Sequence, residues 1–175
     1  MTRIIRAADL VPAPWKNGGG ITREISSHST NGGVHWRLSV ADVDRDGPFS
    51  SFPGLSRILT VIEGHGMSLH ASGETLHALP LQPLAFAGDL PVDGHLNDGP
   101  VRNFNLIFDP QHVNPSVEVH RGPQTRTLPQ AEHAVHCLTG TAVLNEIALH
   151  PGNTALINGG DMRLTDQTQI ICVTL

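Results

Sequence analysis

The sequence lacks any apolar run long enough to cross a membrane, since a helical span needs about 20 consecutive apolar residues. Its first residues, MTRIIRAADLVPAPW, also lack the apolar stretch of a signal peptide. Eleven Lys and Arg residues are scattered among 16 Asp and Glu residues, so no basic surface for nucleic acid is indicated. We therefore expect one soluble, cytoplasmic protein that binds neither membranes nor nucleic acid.

Cysteine is nearly absent. Cys137 lies in AVHCLTG and Cys172 in QIICVTL, both within apolar runs and far apart in the sequence. No C-x-x-C pattern occurs, so a redox or metal-binding pair is not indicated. We predict that both thiols are buried and act as small apolar side chains.

Glycine and proline are frequent, with 18 and 13 residues spread along the whole chain. Short segments with strand character lie between them: GITREIS and HWRLSVA alternate in polarity, and RILTVIE is almost continuously apolar. No segment keeps a helical period over three turns. Many short strands separated by turns predict an all-β fold, either a sandwich or a barrel.

A weak internal repeat aligns LTVIEGHGMSLH with HCLTGTAVLN when Gly64 is placed on Gly140. In each half a Gly-Asp pair follows an apolar strand about twenty residues later, at Gly88-Asp89 and at Gly160-Asp161. A hairpin followed by such a turn, occurring twice, indicates two cupin-type jelly-roll barrels in one chain. The alternative is a chance similarity between two β-hairpins.

The motifs of metal and nucleophilic catalysis are missing. Despite 11 histidines there is no H-x-H, and Arg57 stands near the position where a cupin would carry its glutamate ligand. A cation at that position repels a divalent metal. No G-x-S-x-G occurs either. We predict no metal, no other cofactor and no catalytic residue.

Two further patterns imitate known sites. PWKNGGGITREI contains three consecutive glycines, but its lysine precedes them and a strand follows, so the helix N-terminus of a phosphate loop is lacking. DVDRDG copies the start of a calcium loop, but the twelfth position is Pro53 instead of glutamate. We interpret the first as a turn or pocket wall and the second as an acidic turn.

The remaining polar residues in strand-like segments suggest a binding pocket. Arg57 directly precedes the most apolar strand, where its guanidinium can hold a carboxylate through two hydrogen bonds, with Lys16 adding a charge. An ordinary surface or ion-pair role for Arg57 is the alternative. Asn105 alternates with Phe104, Leu106 and Phe108, so it either faces solvent or lines a cavity.

Four segments in order, PWKNGGGITREI, WRLSVADVDRDGPFSSFPGLSRILTVIEGHG, FAGDLPVDG and VRNFNLIF, resemble the HutD/Ves family of bicupin proteins. The resemblance covers about residues 3–175 and is weaker after residue 110. It implies a single bicupin unit over 1–175, with a first cupin barrel and N-terminal strands in about 1–110. A second cupin-like barrel is then expected in about 111–175.

The resemblance also implies a function. HutD-type members are associated with histidine utilisation, where a role in binding N-formylglutamate has been proposed, and Ves-type members with stress responses. We expect a metal-independent protein that binds a small carboxylate metabolite, and possible homodimers. The alternatives are a metal-independent isomerase or hydrolase acting on a similar acid, and a protein-interaction module. The pocket positions implied by the family are Lys16, Asn17, Thr22, Glu24, Arg57 and Asn105.

These expectations suggest a purpose for the three glycines. They allow the backbone to pass close to the mouth of the first barrel, so that Lys16 and Asn17 lie beside Arg57. The alternative is a simple crossover between strands in which Trp15 packs into the core.

Overall fold

A computed structural model describes residues 2–175 and, within them, consists of strands and one 3-10 turn at Ala7–Asp9. The prediction of an all-β fold is confirmed. None of the described segments is a helix with the length and apolarity needed to span a membrane. The strands are β1 Arg3–Ile5, β2 Pro12–Pro14, β3 Gly20–Thr30, β4 Gly33–Val43, β5 Gly47–Pro48, β6 Ser56–Glu63, β7 Met67–Ala71, β8 Glu74–Ala78, β9 Leu84–Ala87, β10 Asp93–Leu96, β11 Val101–Phe108, β12 Ser116–Arg121, β13 Gln124–Thr139, β14 Ala142–Leu144, β15 Ile147–Leu149, β16 Thr154–Leu164 and β17 Gln169–Thr174.

The chain forms two compact units. The N-terminal unit, Val11–Val113, contains an antiparallel six-stranded sheet in the order β2-β3-β4-β11-β6-β9 and a four-stranded sheet in the order β5-β10-β7-β8. Its apolar core joins strands of both sheets, with Leu59 and Val61 on β6 packed in one cluster with Met67 and Leu69 on β7. These side chains alternate with polar ones along each strand, which is why one face of each sheet is buried.

The C-terminal unit comprises the residues up to Leu10 and Asn114–Leu175. It contains one antiparallel sheet in the order β12-β17-β13-β16-β14-β15, and β1 joins it by pairing with β16. The N-terminal strands were predicted in the first half of the chain, whereas β1 belongs to this unit. Each sheet of residues 2–175 ends in edge strands, and β1 adds a third edge to the C-terminal sheet, so none closes into a barrel by hydrogen bonding.

Both units use the same strand arrangement. The order β4-β11-β6-β9 in the N-terminal unit corresponds to β12-β17-β13-β16 in the C-terminal unit, and the hairpin β7-β8 corresponds to β14-β15. A β-bulge occurs at the same place in each: Ile62 is skipped where β6 pairs with β11, and Leu138 where β13 pairs with β17. A shared order and a shared bulge indicate a repeat of the whole unit, beyond chance similarity of two hairpins.

The two glycines aligned in the sequence occupy equivalent positions: Gly64 directly follows β6, and Gly140 directly follows β13. Gly64 and Gly140 both have positive φ, of 95° and 70°. A Cβ on Gly64 would lie 2.5 Å from the carbonyl oxygen of Pro100, and one on Gly140 would lie 2.5 Å from Oγ1 of Thr168. Each position therefore requires glycine for conformation and for space.

The prediction of a second Gly-Asp turn, in the C-terminal half, is wrong. Gly88 follows β9 in a turn, but Gly160 and Asp161 lie inside β16 and pair with Leu128 and Thr127 of β13. The strand β16 is long because its first part pairs with the end of β13 and its second part with β14 and the start of β13. A continuous strand thus replaces the β9-turn-β10 of the N-terminal unit.

Both cysteines are buried and free, as the sequence predicts. Burial raises the pKa of the Cys172 thiol to about 11, and it also raises the pKa of Cys137. Both belong to the apolar core cluster of the C-terminal unit together with Val135, Ile157 and Ile170. Protonated thiols in an apolar cluster act as packing groups.

Candidate functional site

The glycine run forms a tight turn between β2 and β3. The amide of Trp15 donates to the carbonyl of Gly20 at 2.9 Å, and the amide of Gly18 donates to the carbonyl of Trp15 at 3.0 Å. Gly18 has a φ of +69°, while a Cβ on Gly20 would lie 2.5 Å from the carbonyl oxygen of Asp42 and 3.0 Å from the Trp15 ring. The glycines therefore allow the backbone to fold tightly against β4.

This turn fixes the side chains that precede it. Trp15 donates from Nε1 to Oγ1 of Thr22 at 2.8 Å and meets the Phe49 ring edge to face at 5.8 Å. Asn17 accepts from the amide of Gly19 at 2.9 Å, and its Nδ2 donates to the carbonyl of Pro48 at 3.4 Å. The turn is thereby tied to the end of β5, and Lys16 lies between these two anchored residues in the sequence.

A cavity of about 590 Å³ lies in the N-terminal unit, bounded by this turn and by one face of the six-stranded sheet. This volume suits a small metabolite. Its lining residues are Ala13, Pro14, Trp15, Lys16, Asn17, Thr22, Arg37, Ser39, Ala41, Pro48, Phe49, Ser50, Phe52, Arg57, Asn103, Asn105 and Ile107. Five of the six pocket residues implied by the family resemblance are among them, and Glu24 is not.

The sheet register explains which side chains share this face. Asn105 on β11 lies between Ser39 of β4 and Leu59 of β6, and Ile107 lies between Arg37 and Arg57. Because successive side chains alternate across a sheet, these residues share one face, on which Leu59 packs in the apolar core and the others line the cavity, while their chain neighbours face the other way. Arg57 lies within β6, one residue after the start of the strand, and not before it as the sequence analysis expected.

Arg57 is the most buried cation of the cavity, with 6% of the residue exposed. Its Nη2 donates to Oδ1 of Asn105 at 3.2 Å and its Nη1 donates weakly to the carbonyl of Ser50 at 3.5 Å. Within residues 2–175 its Nε has no hydrogen-bond partner. Of the two alternatives for Arg57, the structure shows a buried cavity residue with no acidic partner among these contacts.

Three aromatic rings surround this guanidinium. Its Cζ lies 5.4 Å from the ring centre of Phe49, 5.3 Å from that of Phe52 and 5.2 Å from that of Phe86. Such contacts stabilise a cation modestly but supply no counter-charge. Burial, together with the positive charge of Arg37, lowers the pKa of Arg57 to about 10. The guanidinium is still charged at neutral pH, and it is poorly compensated.

Two asparagines on β11 complete the polar wall. Asn105 is 5% exposed and accepts from Arg57, so it lines the cavity and does not face solvent. Asn103 is 1% exposed; its Nδ2 contacts Sδ of Met67 at 3.7 Å, and its Oδ1 has no partner among the described residues. A buried amide oxygen without a donor costs about 1–3 kcal/mol, a cost that a functional site can tolerate.

Glu24 lies beside the cavity and not in its lining. Its Oε2 is 3.2 Å from Nε of Arg37, and its Oε1 accepts from Oγ of Ser27 at 2.8 Å. Alternation places Glu24 on the same face as Thr22, as the sequence implies, but its carboxylate is directed to Arg37. The sequence pattern gave no role in the site to Arg37, although this residue lies in the predicted strand HWRLSVA. It did not single out Phe49 or Phe52, because both lie in an irregular segment without strand periodicity.

The acidic DVDRDG segment is explained by other contacts. Asp42 accepts hydrogen bonds from Arg23 and Arg102, each at 2.6 Å. Burial acts to raise the pKa of Asp42, but these two arginines hold it below its usual value. Asp46 accepts from the amide of Leu96 at 2.9 Å. In the described part of the chain, no three His, Cys, Asp or Glu residues are grouped so that they could hold a metal ion.

Comparison with known proteins identifies the family. A family model described as HutD matches residues 7–173. The chain belongs to the HutD family.

An uncharacterised 21.2 kDa protein in the hutC 3' region of Pseudomonas putida is 46% identical over 112 residues, or 62% of this chain and 59% of that protein. Protein Ves of Escherichia fergusonii is 38% identical over 96 residues, or 53% of this chain and 50% of that protein. These alignments thus span only about half to three-fifths of the relatives' lengths.

Solved structures agree with this assignment. HutD from Pseudomonas fluorescens SBW25 is 36% identical, has a TM-score of 0.88, and is matched over 99% of this chain and 98% of its own. A cupin 2 conserved barrel domain protein from Leptotrichia buccalis has a TM-score of 0.61 at 8% identity over 99% of this chain and 96% of its own, which shows a shared fold alone. The resemblance to the HutD/Ves family expected from the sequence is confirmed, and the fold is cupin-like.

Proposed function

We propose that the protein binds a small carboxylate metabolite in the cavity of the N-terminal unit, without a metal, and thereby modulates histidine utilisation. In this proposal the chain is a bicupin in which only the N-terminal cupin-type unit has a ligand assigned to it. The observation that carries the proposal is the buried guanidinium of Arg57, which has no carboxylate partner among the residues lining the cavity.

The geometry of Arg57 suits an anion. Two of its five N–H groups are engaged with Asn105 and Ser50, both through neutral oxygens. A planar carboxylate accepts two parallel hydrogen bonds from a guanidinium, and such charge-assisted bonds are among the strongest in proteins. Lys16 lies on the exposed side of the cavity, where its ammonium attracts the same ligand.

The lining favours binding over turnover. None of the cavity residues within the described chain is a histidine, cysteine, aspartate or glutamate. General acid–base catalysis near neutral pH uses such groups most often. With arginine, lysine, asparagine and hydroxyl side chains, the site is equipped to hold and orient an acid.

The pathway is proposed from the family. HutD is linked with a histidine-utilisation locus, because the Pseudomonas putida relative lies in the hutC 3' region. N-formyl-L-glutamate is the candidate metabolite, since it presents a carboxylate for Arg57, negative charge that Lys16 attracts, and a small apolar chain for the phenylalanine side of the cavity.

Calorimetric titration of chelator-treated protein with N-formyl-L-glutamate tests the proposal, with L-glutamate as the control. We expect saturable binding of the formylated acid and much weaker binding of glutamate, whose ammonium group is repelled by the cationic lining. Recovery of unchanged ligand after long incubation supports a binding protein, whereas a product in the chromatogram supports the enzyme alternative. Absence of heat with both acids contradicts the proposal.

Variants separate binding from stability. The double substitution of Lys16→Ala and Arg57→Ala removes both cations, so anion binding is lost while the melting temperature stays nearly unchanged. Arg121→Ala, at an exposed arginine of the C-terminal unit, is the matched control and leaves both quantities unchanged. A large loss of stability with intact binding would show that these side chains are structural.

A further inference from the structure

We infer that the ligand of this cavity carries two acidic groups and that Arg37 binds the second one, in exchange for Glu24. The inference rests on the proposed function and specifies its ligand class. In the free protein, the carboxylate of Glu24 forms an ion pair with Arg37 and takes the place of the ligand's second carboxylate.

The sheet places two guanidinium groups on one row of the cavity wall. Arg37 on β4 and Arg57 on β6 both pair with Ile107 on β11, which lies between them. Neighbouring strands are about 4.8 Å apart, so the two Cα atoms are separated by roughly 10 Å. Both side chains line the cavity. Two like charges held this close are favourable only when negative groups lie between or beside them.

The charges of the lining call for more than one negative group. Arg37, Arg57 and Lys16 are its charged members, and all three are cations. A monocarboxylate bound to Arg57 compensates one of them. A ligand with two acidic groups compensates two, and its second group is attracted towards Arg37, where Glu24 supplies the carboxylate in the free protein.

The ion pair between Arg37 and Glu24 has the features of an exchangeable contact. Nε of Arg37 is 3.2 Å from Oε2 of Glu24, yet this buried N–H makes no directed hydrogen bond within residues 2–175. The Glu24 side chain is 49% exposed, and its other oxygen is held by Ser27. Ion pairs this exposed contribute little to stability. A ligand carboxylate entering from the cavity side can therefore take over the guanidinium while Glu24 turns to solvent.

Arg57 differs from Arg37 in this respect. The oxygens that accept from it are those of an amide and a backbone carbonyl, and three phenylalanine rings surround it. Within residues 2–175 no carboxylate forms an ion pair with Arg57 and competes with the ligand. We therefore assign the first acidic group to Arg57, which sets affinity for any small acid, and the second to Arg37, which sets preference for diacids.

The test compares linear diacids with their half-amides, which have the same shape but one charge fewer. Succinate, glutarate and adipate are titrated beside succinamate, glutaramate and adipamate, and the dissociation constants are measured by calorimetry. The wild-type protein is expected to bind the best diacid at least tenfold more tightly than its half-amide. The chain length with the largest ratio reports the distance between the two acid sites.

Three variants assign the preference to residues. Arg37→Gln is expected to reduce the diacid to half-amide ratio to about one while changing half-amide affinity less than threefold. Glu24→Gln removes the competing carboxylate and is expected to strengthen diacid binding several-fold. Arg23→Gln is the matched control, because Arg23 is similarly exposed and paired but Asp42, its partner, lies on the opposite face of the sheet. It leaves the ratio unchanged.

The outcomes are distinguishable from those of the proposed function. Equal binding of diacids and half-amides, lost in Arg57→Ala, overturns the two-acid inference and leaves the carboxylate-binding proposal standing. A diacid preference that persists in Arg37→Gln overturns the role of Arg37. If none of the six acids binds, the two-acid inference fails, and the proposed function then depends on the titration with N-formyl-L-glutamate alone. Melting curves of each variant verify folding, and Arg37→Met, which also removes the charge but keeps much of the side-chain volume, serves where Arg37→Gln does not fold.

Discussion

The two units share one strand arrangement but carry different side chains at equivalent positions. In the N-terminal unit, Arg57 of β6 pairs with Ile107 of β11. Four residues further along β6, Val61 pairs with the polar Asn103. In the C-terminal unit, the corresponding pairs are His133 with Thr174 and Cys137 with Ile170. One duplicated strand arrangement thus provides both a polar cavity and an apolar core.

The polar groups of the two units are also satisfied to different degrees. His133 is 1% exposed, and its two ring nitrogens lie 3.0 Å from the carbonyl of Pro129 and 3.1 Å from Oγ1 of Thr174. Its equivalent, Arg57, keeps a buried N–H without a partner among the described residues. A buried polar group with its bonds made contributes to stability, whereas one without them is expected at a site that awaits a ligand. This difference is the reason for proposing that the ligand binds in the N-terminal unit.

The largest effect is expected from making the C-terminal unit resemble the N-terminal one. Ile170→Asn places an unpartnered amide among Val135, Cys137 and Ile157, and it also removes a fully buried apolar side chain. We expect a loss of about 3–5 kcal/mol in the free energy of unfolding, measured by urea denaturation.

Two controls accompany this substitution. Ile170→Val keeps the chemistry and is expected to cost about 1 kcal/mol. The reciprocal change in the N-terminal unit, Asn103→Leu, removes an unpartnered acceptor and is expected to raise the melting temperature. A cost below 1 kcal/mol for Ile170→Asn would mean that the C-terminal unit tolerates polarity as the N-terminal unit does.

The next effect concerns binding. Arg57→Met keeps much of the side-chain volume but removes the charge, so affinity for a carboxylate ligand is expected to fall at least 100-fold, or about 3 kcal/mol. The free energy of unfolding should stay level or rise, because an uncompensated buried charge is removed. The equivalent change His133→Leu should do the opposite and lower stability while binding persists. Calorimetry measures the affinity and urea denaturation the free energy of unfolding for both variants. If Arg57→Met and His133→Leu change these two quantities in the same way, the two positions do not differ in role.

A smaller effect is expected from giving Arg57 an internal counter-ion. In Asn105→Asp, a carboxylate replaces the amide oxygen that lies 3.2 Å from Nη2 of Arg57. We expect stability to rise by about 1–2 kcal/mol and anion affinity to fall about tenfold, because the new carboxylate competes with the ligand. Asn105→Leu removes the acceptor without adding charge and should lower both quantities. Thermal melts and titrations measure the two responses, and tighter anion binding in Asn105→Asp would contradict this interpretation.

Much of this contrast could be predicted from the sequence. Alternation in VRNFNLIF placed Asn105 opposite Phe104 and Leu106, and it left two alternatives that the register resolves in favour of the cavity. The alignment of Gly64 with Gly140 also identified equivalent turns. Both signals are local, because period-two alternation and positive φ depend on neighbouring residues.

Features that depend on distant partners could not be predicted. The segment Gly160-Asp161 has the composition of a turn but continues a strand, because β13 is long enough to pair with it. Glu24 shares a face with Thr22, yet its position beside Arg37 depends on the pairing of β3 with β4 and on the bulge after Glu24. A single sequence carries no direct signal for such pairings.

The smallest effect expected is a pH dependence of ligand affinity. It helps to distinguish the two units because it depends on the charge of Arg57 in the cavity. Burial and the charge of Arg37 lower the pKa of Arg57 from its usual value to about 10 in the free protein. Carboxylate binding requires the charged form, so affinity should be constant from about pH 7 to 9 and fall three- to fourfold by about pH 10.5. The pKa of Arg57 is lower in the folded state than in the unfolded chain, so the unfolded chain binds more protons above about pH 10, and the contribution of Arg57 to stability rises with pH there. Calorimetry of wild type and Lys16→Ala at pH 8, 9, 10 and 10.5 separates the two cations. If affinity in Lys16→Ala already falls below pH 9, another group governs binding, and the assignment of the anion to Arg57 is wrong.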